Sequence, residues 1–278
     1  MRIFVVSDIH IDFQENQRWV NRISKTEYKN DILLLAGDVC HNFDRLKAAL
    51  MQIRPRFKRL FFVPGNHDLW IRGEAFKNSL EKFDFIIQFC RDNDISVYPE
   101  KADDKWILPI FSWYSKPEEG EDTLYWTKPG EDESNRMWSD NFFIKWPNLK
   151  FPKSASRYFF NLNSDKLVEN YNGTVISMSH FIPRKELIFG QYPPVFDPER
   201  IKKYDRSPEF NFSRVAGSEL IERQIRQTGS RLHIYGHQHI NRDIIIEDVR
   251  YVSHCLGYPN ERKKGLVSGI EQGLKKVM

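Results

Sequence analysis

Five short apolar runs in this chain end in the same kind of residue. IFVV (3–6) runs into Asp8 and His10, and ILLLAG (32–37) runs into Asp38. LFFVPG (60–65) runs into Asn66, His67 and Asp68, TVISMS (174–179) into His180, and LHIYG (232–236) into His237 and His239. Continuous apolar runs of this length fit strands buried on both faces. Turn chemistry accounts for Pro, Gly and Asn where such strands stop, but not for repeated His and Asp. In open α/β sheets, ligands bind just beyond the carboxyl ends of the strands, and five of the eight histidines fall there. Carboxylates, imidazoles and one amide, without sulfur, suit divalent transition metals such as Mn, Fe or Zn. In Asp-x-His and His-x-His, alternate residues of an extended segment point the same way. A carboxylate can bridge two ions, so there are groups enough for two.

Between these runs the pattern is helical, at about 15–28, 44–53, 74–92 and 218–227. Alternating strands and helices predict an α/β fold with parallel strands and helices on both faces. RDIIIEDVRYVSHC predicts a hairpin turning at Glu247–Asp248. Residues 104–165 differ. They hold Trp106, Trp113, Trp126, Trp138 and Trp146, five of the seven tryptophans, around the acidic stretch KPEEGEDTLYWTKPGEDES. Their first apolar run reads as a further strand, and the rest as an insertion packed over one end of the sheet. No linker separates independent domains, so the expectation is one domain, 1–278, with 104–165 an insertion or cap. Such an aromatic cluster reads first as a satellite core, and second as a surface that stacks on a base.

Of the 278 residues 40% are hydrophobic and 29% charged, the balance of a globular chain. A net charge of +4 permits contact with phosphates without requiring nucleic acid. The acidic stretch argues against a continuous nucleic-acid groove, although nucleic acid stays among the candidate partners. Cys40, Cys90 and Cys255 are widely spaced and fit a reducing compartment. The opening MRIFVVSDIH lacks a signal-peptide pattern, and no apolar run approaches the ~20 residues of a membrane span. The expectation is a cytoplasmic protein without membrane association.

Taken in order, Asp8-x-His10, Gly37-Asp38, Gly65-Asn66-His67-Asp68, Ser179-His180 and Gly236-His237-x-His239 resemble the motif series of the calcineurin-like metallophosphoesterases. The resemblance covers residues 1–70 and about 173–240. It implies a two-sheet α/β sandwich. It also implies a first metal held by Asp8, His10 and His239, a second held by Asn66, His180 and His237, and Asp38 between them. His67 would be unligated and face the substrate, with Asp68 orienting it from behind. The implied reaction is hydrolysis of a phosphomonoester or phosphodiester by a metal-bridging hydroxide, with His67 protonating the leaving oxygen. The implied substrate is a small phosphoester, nucleotide-like ones included. Two alternatives stand beside it: a nuclease or protein phosphatase of the same chemistry, and a non-catalytic binding protein that keeps the fold. Every motif position carries a competent residue, which weighs against the last.

His41 stands where relatives often carry an acid, and reads equally as a group behind the site or as a solvated side chain. His233 reads as a satisfied core residue, and His254 as outside catalysis. Arg184, Lys185, Arg200, Lys202, Lys203 and Arg206 read as a solvated face, one or two of which could hold a substrate phosphate.

Overall fold

The structure is a computed structural model that describes residues 1–147, 154–167, 171–189, 207 and 209–278. Arg200, Lys202, Lys203 and Arg206, with most of the loop after His180, lie outside the described residues. The strands are β1 (Ile3–Val6), β2 (Ile32–Ala36), β3 (Arg59–Val63), β4 (Glu100–Ala102), β5 (Lys105–Pro109), β6 (Thr174–Met178), β7 (Leu232–Tyr235), β8 (Arg242–Ile246), β9 (Val249–Ser253) and β10 (Lys275–Lys276). They form two sheets, ordered β10-β1-β2-β3 and β4-β5-β6-β7-β9-β8. The sheets face each other where β3 meets β5 and β2 meets β7. This is the two-sheet sandwich.

The parallel strands β1, β2 and β3 are buried along their whole length except at Arg59. That burial on both faces is why they read as unbroken apolar runs. β5, β6, β7 and β9 are likewise parallel. β5 is therefore an inner strand of the second sheet. The β8–β9 hairpin turns at Glu247 and Asp248, both with positive φ (48° and 67°), as two-residue hairpin loops require.

The helices differ from the sequence pattern mainly at their ends. Helix α1 (Gln14–Arg22) stops before residue 28, because the Ser24 hydroxyl accepts from the backbone of Thr26 and Glu27 and turns the chain. Helix α2 (Phe43–Ile53) starts at Asn42, whose side chain caps the Arg45 amide. Helix α3 (Ser79–Asp92) begins later than residue 74. Gly73 lies at φ 69°, and the Asn78 side chain supplies the cap by accepting from the Glu81 amide. Three further helices follow: α4 (Asp140–Phe143), α5 (Ala155–Ser164) and α6 (Lys185–Phe189). Helix α7 (Glu219–Gln227) packs on α5 and is capped by Ser218, and α8 (Pro259–Lys263) follows β9.

Three of the five tryptophans join the main core rather than a separate satellite. Trp113 belongs to the main core, and Trp138 and Trp146 pack against it. After β9 the chain runs beside the end of β1, where the Ser7 amide donates to His254 O and the Leu256 amide to Ser7 O, both at 3.0 Å. That crossing brings residues 254–262 to the end of the first sheet.

Candidate metal centre

All five polar strand ends converge. Asp8, His10, Asp38, Asn66, His180 and His237 are buried, and His239 is nearly so. Five of these seven residues have positive φ: Asp8 (51°), His10 (36°), Asp38 (55°), His237 (74°) and His239 (55°). Non-glycine residues seldom adopt this region, and such strain gathers at functional sites. The glycines in the motifs admit close approach. A Cβ on Gly236 would lie 2.5 Å from Asp8 Oδ2, and one on Gly65 would collide with Asp38 Oδ1.

Three triads each place one donor atom per residue within 4.8 Å of the others: Asp8, His10 and His239; His10, Asp38 and His67; Asp8, Asp38 and His180. His10 Nε2 and His239 Nε2 lie 3.0 Å apart, with Asp8 Oδ1 3.3 Å from the latter. The histidines are tethered from outside. His180 Nδ1 donates to Ala36 O at 2.9 Å, and His237 Nε2 donates to Val215 O at 2.9 Å. Burial lowers the pKa of His180 and keeps the ring neutral. Its Nε2 is therefore a bare lone pair. It faces Asn66 Oδ1 at 3.1 Å and an Asp38 oxygen at 3.5 Å. Acceptors pointed at acceptors in a buried site call for a cation among them, so the donor set fits a metal. His237 stands outside the three triads, its ring centre 5.1 Å from that of His180.

The electrostatics carry the same sign. Burial, with Asp68 and Asp8 nearby, raises Asp38 well above the carboxylate range. Burial acts against Asp8 ionising too, but its hydrogen bond to His239 together with the charge interactions with His239, His180 and His10 holds it low. Burial also opposes the charged form of His239, yet Asp8 and Glu261 raise it to about 10. Metal-free, the site holds a proton where a cation would sit.

His67 keeps 15% of its side chain exposed, more than His10, His180 or His239. Burial, with His239 nearby, lowers it to about 3. Its ring stacks on Trp70 at 3.7 Å between centroids, and its Nε2 lies 3.3 Å from the Tyr258 hydroxyl. Asp68 does not orient it. The Asp68 carboxylate accepts from the backbone N–H groups of Asp38, Val39, Cys40 and Gly65, at 2.8–3.0 Å. Four donors on two oxygens leave nothing for an imidazole, and Asp68 instead ties the loop after β2 to the loop after β3.

His41 pairs with Asp12 at 2.6 Å, and His254 donates to Gly273 O, so neither enters the centre. His233 lies in the core between the Ser177 and Ser179 hydroxyls. Arg184 is engaged by Glu186, Glu222 and Glu247.

Sequence reasoning missed three residues. Glu261 accepts from His239 Nδ1 at 2.7 Å, Tyr258 packs on His10 and His239, and Asp140 accepts from the Asn66 amide at 2.9 Å. All three lie outside the motif series. Only their chemistry, a carboxylate or phenol in polar or aromatic surroundings, could have signalled them.

The family model of the calcineurin-like phosphoesterases matches residues 1–241. The chain belongs to that family. It is a metallophosphoesterase, a hydrolase acting on phosphoester bonds. Over 295 aligned residues it is 23% identical to the [acyl-carrier-protein] phosphodiesterase PptH of Mycobacterium tuberculosis, covering 98% of this chain and 83% of that one. It is 24% identical to uncharacterized protein L509 of Acanthamoeba polyphaga mimivirus, covering 94% and 93%. The crystal structure of phosphopantetheinyl hydrolase PptH from M. tuberculosis matches with a TM-score of 0.72 at 18% identity, over 100% of this chain and 95% of that one. That likeness shows the phosphoesterase fold. Tyr258 and Glu261 come from beyond the family model. Among the described residues no helix is long and apolar enough to cross a membrane.

Proposed function

We propose that this metallophosphoesterase cleaves a phosphodiester with two divalent ions, Mn, Fe or Zn, and that its substrate is a phosphopantetheine-type ester on a carrier protein. Asp8, His10 and His239 would hold one ion, and Asn66, His180 and His237 the other, with Asp38 serving both. The observation that carries the metal reading is the bare His180 Nε2 facing two oxygen acceptors. The substrate class rests on the likeness to PptH along nearly the whole chain. When bound, two such ions supply positive charge for the phosphoryl oxygens and lower the pKa of a bound water.

The chain's own groups supply the rest. His67 stands at the rim with its Nε2 open to a leaving oxygen, and Trp70 fixes the plane of its ring. An anionic phosphate beside it raises the imidazole pKa from its low resting value, which favours uptake of a proton from solvent as the substrate binds. The Tyr258 hydroxyl is placed to hold that nitrogen until the ester displaces it. We read the chain as a single domain, 1–278, in which residues 104–165 wall the centre through Asp140 and Trp138, and we place it in the cytoplasm.

The test pairs elemental analysis with a panel of substrates. The expected result is about two ions per chain. Phosphopantetheine should be released from a holo carrier protein faster than phosphate from nucleotide monoesters or cleavage of single-stranded DNA or phosphopeptide. A single ion at saturation overturns the two-metal reading. Faster turnover of any of the other substrates overturns the substrate class.

A further inference from the structure

We infer that Asp140, from the aromatic segment, is a positioning residue that fixes which face of the Asn66 amide is presented to the metal centre. This rests on the proposal that Asn66 is a ligand. Helix α4 is a single turn whose Phe142 is 65% exposed, whereas Asp140 is 3% exposed. Both oxygens of the buried carboxylate are engaged. Oδ1 accepts from Asn66 Nδ2 at 2.9 Å and from the Trp70 indole at 2.7 Å, and Oδ2 accepts from the Trp138 indole at 3.0 Å. An indole N–H can only donate. Both oxygens of Asp140 are therefore acceptors, and the part of Asn66 that faces them is its NH2. The amide oxygen is thereby turned toward His180 Nε2, 3.1 Å away.

The two halves of an amide are nearly the same size, so shape alone does not choose between them. The Asn66 side chain has polar contacts to Asp140 and His180. Without an acceptor at position 140, the NH2 can swing to the metal side, where a donor repels a cation. A second amide at 140 does not serve. Three N–H groups converge there, and a carboxamide offers an oxygen on one side only. A carboxylate offers both, and charge-assisted hydrogen bonds oppose the cost of its burial. The same acid joins Trp70, on which His67 stacks, to Trp138, whose ring lies 5.7 Å from that of His237. The insertion thus sets the geometry of the ligands rather than forming a detachable lid.

The experiment titrates metal-free protein with Zn2+ or Mn2+ against a chromogenic chelator, and follows folding by far-UV circular dichroism and metal-free Tm. Asn66→Ala and Asp140→Asn should each weaken one of the two sites by roughly 10–100-fold, as loss of a ligand or of its orienting partner does. The other site should stay within a few-fold of wild type. Trp70→Phe removes a donor but keeps the Asp140–Asn66 bond, and should bind both ions normally. Adding Asn66→Asp to Asp140→Asn should recover the weakened site, because a carboxylate presents oxygen in either orientation. If Asp140→Asn binds both ions as wild type while Asn66→Ala loses one, this inference fails and the ligand reading stands. If Asn66→Ala keeps both ions, the ligand reading fails with it. A lowered metal-free Tm with both sites lost, unrescued by Asn66→Asp, makes Asp140 merely structural and also overturns the inference.

Discussion

His67 stands apart from the other histidines of the centre in its 15% exposure and its contact with the Tyr258 hydroxyl, although it also lies near His10 and Asp38. If it protonates the leaving oxygen, its value depends on how badly that oxygen needs a proton. His67→Gln should lower kcat on the order of a hundred-fold for an alkyl leaving group, and much less for a nitrophenolate. Metal content should stay near wild type. Equal losses on both esters, or ions lost with the ring, would make His67 a ligand or a structural group, with the general-acid role elsewhere; its nearness to His10 and Asp38 allows the former. The motif residues were legible because each terminates an apolar strand. What holds them was not. Glu261 and Asp140 are single acids in polar or aromatic surroundings, and only the folded chain brings them to His239 and Asn66. Asp68 misled for a related reason. The family resemblance implied a pairing with His67, but in the short turn at 67–69 its carboxylate finds four backbone amides first.

Among the elements, α3 has a role that its amphipathic pattern hides. Lys82 is fully buried and donates to Trp70 O at 2.6 Å, to His41 O, and to Glu74. Burial lowers its pKa, against the pull of Glu74. The helix thereby pins the two loops that carry Asp38 and His67. Lys82→Met keeps the length and apolar stem but leaves Glu74 and two carbonyls without their cation. We expect a loss of about 3–5 kcal/mol in denaturant unfolding, as when one member of a buried ion pair is removed. A loss under ~1 kcal/mol would show that Glu74 finds water or another partner. The strands that end at the centre were legible almost to the residue, since burial on both faces leaves a continuous apolar signal, whereas the short edge strands β4 and β10 were not. Helix ends at 22 and 79 were not, because a serine turn and an asparagine cap decide them against an unchanged background of polar residues.

In the molecule as a whole, the centre is where two sheets are joined. Asp8, Asp38 and Asn66 follow strands of the first, while His180, His237 and His239 follow strands of the second. Ions shared across that seam would stabilise the folded state by mass action, about 2.7 kcal/mol per site at a hundred-fold excess over Kd. Stripping metal with a chelator should therefore lower Tm by several degrees, and excess Zn2+ or Mn2+ should restore it. A Tm indifferent to chelation would mean that the sandwich holds its seam without ions. The crossing of residues 254–258 beside β1 has a further consequence, in time rather than in space. About 250 residues separate Asp8 from Glu261. At roughly 5–20 residues per second, synthesis takes tens of seconds to cover that distance. For all of it, β1 lacks both the segment that borders its end and β10 along its edge, and His239 has no carboxylate behind it. The centre is thus completed only after residue 261 has been made, and a nascent chain carrying every histidine of the motif series still lacks the Tyr258 and Glu261 that close it.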